Sequence, residues 1–200
     1  MKAFSSLVSV LIILGVIYWS FSDLKPSLPS EKTVSKTDFS IDNALYHLKN
    51  ISKDVHYTGS ENHKDVQNYI VKELQKMGLT TEIQTQTAIN KKWFAATTTE
   101  NILARIKGSE NGKALMLLTH YDSNPHSSLG ASDAGSGVVT ILEGIRAFLA
   151  KNIQPKNDII ILISDAEELG LLGAQAFVDV HPWTKDIGLV LNFEARGSGG

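Results

Sequence analysis

From Ala3 to Ser22 the chain carries no charged residue, and Leu7 through Trp19 is almost wholly apolar. About twenty residues of α-helix span roughly the 30 Å of a bilayer's hydrocarbon core, so this run is read as a transmembrane helix. Lys2 precedes it, Tyr18 and Trp19 sit near its far end as interfacial aromatics do, and Asp23 closes it. A cleaved signal peptide is the competing reading. The charged start and apolar middle fit it, but no Ala-x-Ala site is present, and bulky Trp19 and Phe21 crowd the cleavage point. Residues 1–22 are therefore expected to be a single N-terminal anchor with the rest of the chain on the non-cytoplasmic side; secretion after signal cleavage is the alternative.

Residues 23–37 hold Pro26, Pro29 and several Ser and Lys without apolar periodicity, and read as a tether. Residues 38–200 then form one folded domain. A hydrophobic share of 42% with 20% charged residues is a globular composition. The net charge of −2 supplies no basic field for phosphates, so nucleic acid is not expected as a partner. With no cysteine, disulfides, thiolate metal sites and cysteine nucleophiles are excluded, and any metal must use His, Asp or Glu. No internal repeat is present, and oligomeric state is not legible.

Ile41, Ala44, Leu45, Leu48 and Ile51 recur at helical spacing behind Ser40, predicting a helix over 40–52. Val66, Tyr69, Ile70, Leu74 and Met77 share a second helical face that Gly78 ends. Residues 80–89 and 102–106 read as strands, and Asn111-Gly112 as a two-residue hairpin turn into a strand over 114–119. A helix over 137–150, a doubly buried strand over 159–163, a helix over 170–180 and a strand over 188–193 complete the chain. Helices alternating with continuously apolar strands predict an α/β fold, a three-layer sandwich with a mixed, mainly parallel central sheet.

Acids gather at the predicted strand ends. His120-Tyr121-Asp122 ends one strand, Asp133 lies in the glycine-rich loop 130–137, Glu167-Glu168 comes directly after the next core strand, and Glu194 ends the last. In open α/β sheets ligands collect beyond the carboxyl ends of the strands, so these side chains can share one crevice. Carboxylates and an imidazole crowded there repel one another without a cation, and mixed N and O donors suit zinc. Taken singly each has a plain structural reading: Asp122 a turn cap, Asp133 and Glu167-Glu168 helix starts, His120 a hydrogen-bonded core residue. Their occurrence at successive strand ends favours one site.

Thr119-His120-Tyr121-Asp122-Ser123, Gly130-Ala131-Ser132-Asp133, Ala166-Glu167-Glu168-Leu169-Gly170 and Asn192-Phe193-Glu194 resemble, in order, the signatures of the M28 family of zinc-dependent exopeptidases. The nearest likeness is to its membrane-anchored branch of vacuolar membrane proteases and endoplasmic reticulum metallopeptidases, and it runs from about residue 40 to the end. The resemblance implies two zinc ions: His120 and Glu194 on the first, Asp133 bridging both, and Glu168 on the second. It assigns Glu167 as the catalytic base. Many relatives carry Asp at the Glu194 position, although the membrane branch often has Glu. The family's second zinc also takes a histidine well downstream, and none of His47, His56, His63, His120, His126 or His181 stands in that place. The domain is therefore expected to be C-terminally incomplete, with His126 a surface residue and His181 a helix-end residue.

The activity that the resemblance most commonly implies is aminopeptidase hydrolysis of a peptide substrate. Glu167 would carry the proton to the departing amine, and Asp122, two residues past His120, would fix the tautomer of that imidazole. Carboxypeptidase and glutaminyl cyclase relatives share the frame, and a catalytically inactive scaffold on a peptidase fold is the alternative of another class. Ser132 and Ser136 lie in no nucleophile elbow. Arg196 is read as a substrate contact or a surface ion pair, and the resemblance implies a cis peptide bond after Asp133.

Overall fold

The computed structural model describes residues 2–23, 34–126 and 128–195. The chain divides into two units after Lys32. In the first, α1 spans Lys2–Asp23, and its segment Phe4–Ser22 is long and apolar enough to cross a membrane. Most of the tether read over 23–37 lies outside the described residues.

The second unit holds α2 (Ile41–Ile51), α3 (Glu61–Lys76), β1 (Thr81–Asn90), β2 (Ala95–Ile106), β3 (Ala114–His120), α4 (Ser136–Leu149), β4 (Ile159–Ser164), α5 (Leu172–Val180) and β5 (Ile187–Asn192). The Ser40 hydroxyl caps α2 by accepting from Asn43 N–H at 3.2 Å, as its position before the apolar stripe predicts. The sheet runs β1-β2-β4-β3-β5. β3 is parallel to both β4 and β5, while β2 is antiparallel to β1 and β4, so only β2 runs against the other strands.

β4 explains the order. Ile160, Ile161, Leu162 and Ile163 are all buried, so both faces of the strand need cover and both edges need partners. Ile161 and Ile163 join one core with Ile70, Leu74, Val138 and Leu142 from α3 and α4. Ile160 and Leu162 join another with Leu103, Met116 and Phe177 of α5. The result is the expected three-layer mixed α/β sandwich.

The hairpin expected around Asn111-Gly112 does not form. β4 lies between β2 and β3, and the actual hairpin joins β1 to β2, pairing Asn90 with Ala95 at its tip. The connection after β2 is instead stitched to the segment before β4: Ser109 N–H donates to Pro155 O at 2.9 Å and Glu110 N–H to Lys156 O at 2.8 Å. A continuously apolar strand outcompetes a turn dipeptide for the neighbouring edge. β2 also begins at Ala95, well before the predicted 102, because its first half is two alanines, three consecutive threonines, Glu100 and Asn101 and carries little apolar signal.

Candidate active site

β3, β4 and the chain after β5 deliver the chemistry at one end of the sheet. His120 ends β3 and is 1% exposed. Its Nδ1–H donates to the Asp122 carbonyl at 3.0 Å, with Asp122 Oδ1 at 3.3 Å, which leaves Nε2 facing outward. Nε2 lies 3.0 Å from Asp133 Oδ1, 3.3 Å from Glu194 Oε1 and 3.9 Å from Glu167 Oε2. Donor atoms of His120, Asp133 and Glu194 all lie within 4.8 Å of one another, a spacing at which one cation can meet all three.

The electrostatics make the same demand. Burial alone would lower the His120 pKa, but the carboxylates of Asp122, Glu167 and Glu194 outweigh it and push it up to about 10. Glu167 is raised to about 6 by burial, then by Glu194, Asp122 and Glu168, with His120 opposing. Burial also raises Glu168, helped by the charge of Asp133. Glu194 moves down, since the Ala195 N–H and His120 outweigh its desolvation. Several acids around one imidazole nitrogen call for a positive charge there, whether a proton or a metal ion.

Glu168 stands outside the three-residue group. Its Oε2 accepts from Asn124 Nδ2 at 2.8 Å, while its buried Oε1 has no hydrogen-bond partner. A buried carboxylate oxygen without a donor fits a second cation. The two glutamates are set by backbone: Ala166 adopts φ 53°, and Glu167 and Glu168 N–H then donate to Asp122 Oδ1 and Oδ2 at 3.0 and 3.1 Å. Asp133 sits where Gly135 N–H turns back to Gly130 O at 2.8 Å, and the Asp133–Ala134 peptide bond is cis, as expected. Gly130, at φ 61°, presses on the His56 ring and Ser123, where a side chain would not fit.

His126 is exposed at the rim, and His181 is buried at the end of α5, stacked on Phe177. The Ser136 hydroxyl donates to Ser132 O at 2.6 Å, which gives it a structural use in the Asp133 loop. Arg196 lies outside the described residues. The sequence reading missed Asp165, which is buried and accepts from His63 Nε2–H at 2.8 Å and Glu100 N–H at 2.9 Å. The signal was available, since Asp165 comes directly after β4 and is an acid at a strand end like the others. His63, on α3 and stacked on Tyr121, carried no such signal.

An α/β sheet with a histidine and several acids beyond the carboxyl ends of its parallel strands is the frame of a zinc-exopeptidase-like fold. The chain belongs to peptidase family M28, whose model matches residues 101–200. It is similar to a vacuolar membrane protease of Candida dubliniensis, 35% identical over 193 residues, covering 92% of this chain and 20% of the relative; the chain thus spans about a fifth of that relative's length. Among solved structures, glutaminyl cyclase of Porphyromonas gingivalis superposes with a TM-score of 0.68 at 23% identity, covering 81% of this chain and 61% of that one. A Zn-dependent exopeptidase from Parabacteroides distasonis gives 0.60 at 22% identity, covering 74% and 58%.

Proposed function

We propose that this chain carries the catalytic region of a membrane-tethered zinc aminopeptidase that removes N-terminal residues from peptides. Residues 1–22 anchor it, 23–37 tether it, and 38–200 form the peptidase domain on the non-cytoplasmic side. The observation that carries the reading is the convergence of His120 Nε2, Asp133 and Glu194 with Glu167 3.9 Å away. His120, Asp133 and Glu194 would hold one zinc ion, and Asp133 with Glu168 the second. When bound, zinc lowers the pKa of a water and polarises the scissile carbonyl. Glu167, raised to about 6, is matched to taking a proton near neutrality and passing it to the departing amine. Asp122 keeps the His120 proton on Nδ1 and so leaves Nε2 free for a metal.

Glu167→Gln and His120→Ala test this together in the full-length protein. Glu167→Gln is expected to retain bound zinc and lose hydrolysis of aminoacyl reporter amides by roughly two to four orders of magnitude. His120→Ala is expected to lose metal. A Glu167→Gln protein as active as the unsubstituted one would remove Glu167 from its role. A folded protein without zinc would favour the inactive scaffold.

A further inference from the structure

Glu167 and Glu168 also line a cleft of about 660 Å³ whose wall comes from a distant part of the chain, the tip of the β1–β2 hairpin. Trp93, from that tip, and Leu171, from the loop before α5, stand in the wall 63% and 55% exposed, beside Pro125. Two large apolar side chains left open together in a cleft beside carboxylates form a surface suited to a ligand.

The wall is fastened to the catalytic loop. Asn90 Nδ2 donates to Gly170 O at 2.8 Å, and Asn90 Oδ1 accepts from Lys92 N–H at 3.0 Å and Trp93 N–H at 3.2 Å. Gly170 adopts φ 94°, and a Cβ there would lie 2.9 Å from Asn90 Nδ2 and 3.0 Å from Trp93 Cγ. Only glycine lets the hairpin tip sit directly on the segment that carries Glu167 and Glu168. Leu171 holds φ 63°, a conformation that disfavours side chains and is typically kept where function uses it.

We propose that Trp93 and Leu171 are the specificity-determining wall: they receive the side chain of the substrate's N-terminal residue and select aromatic and large aliphatic residues. Asn90 is the positioning residue that docks the wall. The inference rests on the aminopeptidase reading above. An acidic floor under an apolar wall matches an α-ammonium group on a residue whose side chain is apolar. Lys92 and His126 also line the cleft and offer the opposite preference, for an acidic residue.

The test compares kcat/KM of the full-length protein for reporter amides of phenylalanine, alanine and glutamate. In Trp93→Ala the Phe:Ala ratio is expected to fall about tenfold, and Trp93→Phe to retain it. Asn90→Ala is expected to lower the same ratio, mainly through KM, whereas general damage would depress both substrates alike. Titration with phenylalaninamide and alaninamide, followed by indole fluorescence, reads the wall without hydrolysis. A response to phenylalaninamide that Trp93→Phe abolishes supports the wall even if no turnover is found, in which case only the catalytic reading fails. An unchanged ratio in Trp93→Ala, an absent fluorescence response, or a preference for glutamate lost in Lys92→Ala would each overturn the inference.

Discussion

The carboxylate of Asp122 orients two parts of the site at once. It is 1% exposed, lies against His120 Nδ1, and accepts the N–H groups of both Glu167 and Glu168. The spacing His120-Tyr121-Asp122 points to the first contact; the second links two segments distant in sequence and becomes visible only when β3 and β4 lie side by side. Asn in place of Asp retains one strong acceptor where two are used, so one glutamate N–H is left unpaired in a buried site. Asp122→Asn is expected to reduce kcat by about 10–100-fold while the protein stays folded. Steady-state kinetics beside a thermal melt check this; unchanged kcat would mean that the glutamates hold their places without Asp122.

Among the elements, the helices are the most legible: α3 and α4 bury the apolar faces that their periodicity predicts, which is local information, whereas on α2 Ala44 and Ile51 are buried but Ile41 and Leu45 of the same expected stripe are exposed at 42% and 46%. The failure came at the edge between β2 and β3, where turn chemistry at Asn111-Gly112 pointed to direct pairing. What places β4 there is long-range, and Asp158 at its start is part of it. Asp158 is buried, accepts Gly108 N–H at 2.8 Å and pairs with Arg105 and Lys107, fastening the end of β2 to β4. Burial alone would raise its pKa, but Gly108, Lys107 and Arg105 hold it down to about 2 against an ordinary 3.8. The folded state therefore prefers the carboxylate. Its contribution is complete above the unfolded-state pKa and is lost as pH falls toward 2, on the order of 2 kcal/mol. Denaturant unfolding of the native protein and Asp158→Asn is expected to show a stability gap at pH 5 to 7 that closes in acid; a gap independent of pH would mean that the carboxylate's charge is not what matters.

For the second unit as a whole, the β5 edge left open among the described residues shapes its behaviour in solution. Among the described residues β5 pairs only with β3, and Leu189, Val190 and Leu191 are exposed at 59%, 43% and 43%. The sequence showed an apolar strand but not which edge it would occupy, since that depends on β4 filling the centre of the sheet. An open apolar edge presents unpaired backbone N–H and C=O groups to any second copy, and proteins usually blunt such edges with charge or cover. The 200-residue chain in detergent is therefore expected to self-associate with rising concentration, and Val190→Lys to suppress this without lowering the melting temperature by more than a few degrees. Sedimentation velocity across a concentration series distinguishes these outcomes. A chain that stays dispersed at every concentration would show that the β5 edge does not drive association, and a Val190→Lys variant that associates as readily as the unsubstituted chain would locate the contact elsewhere than β5.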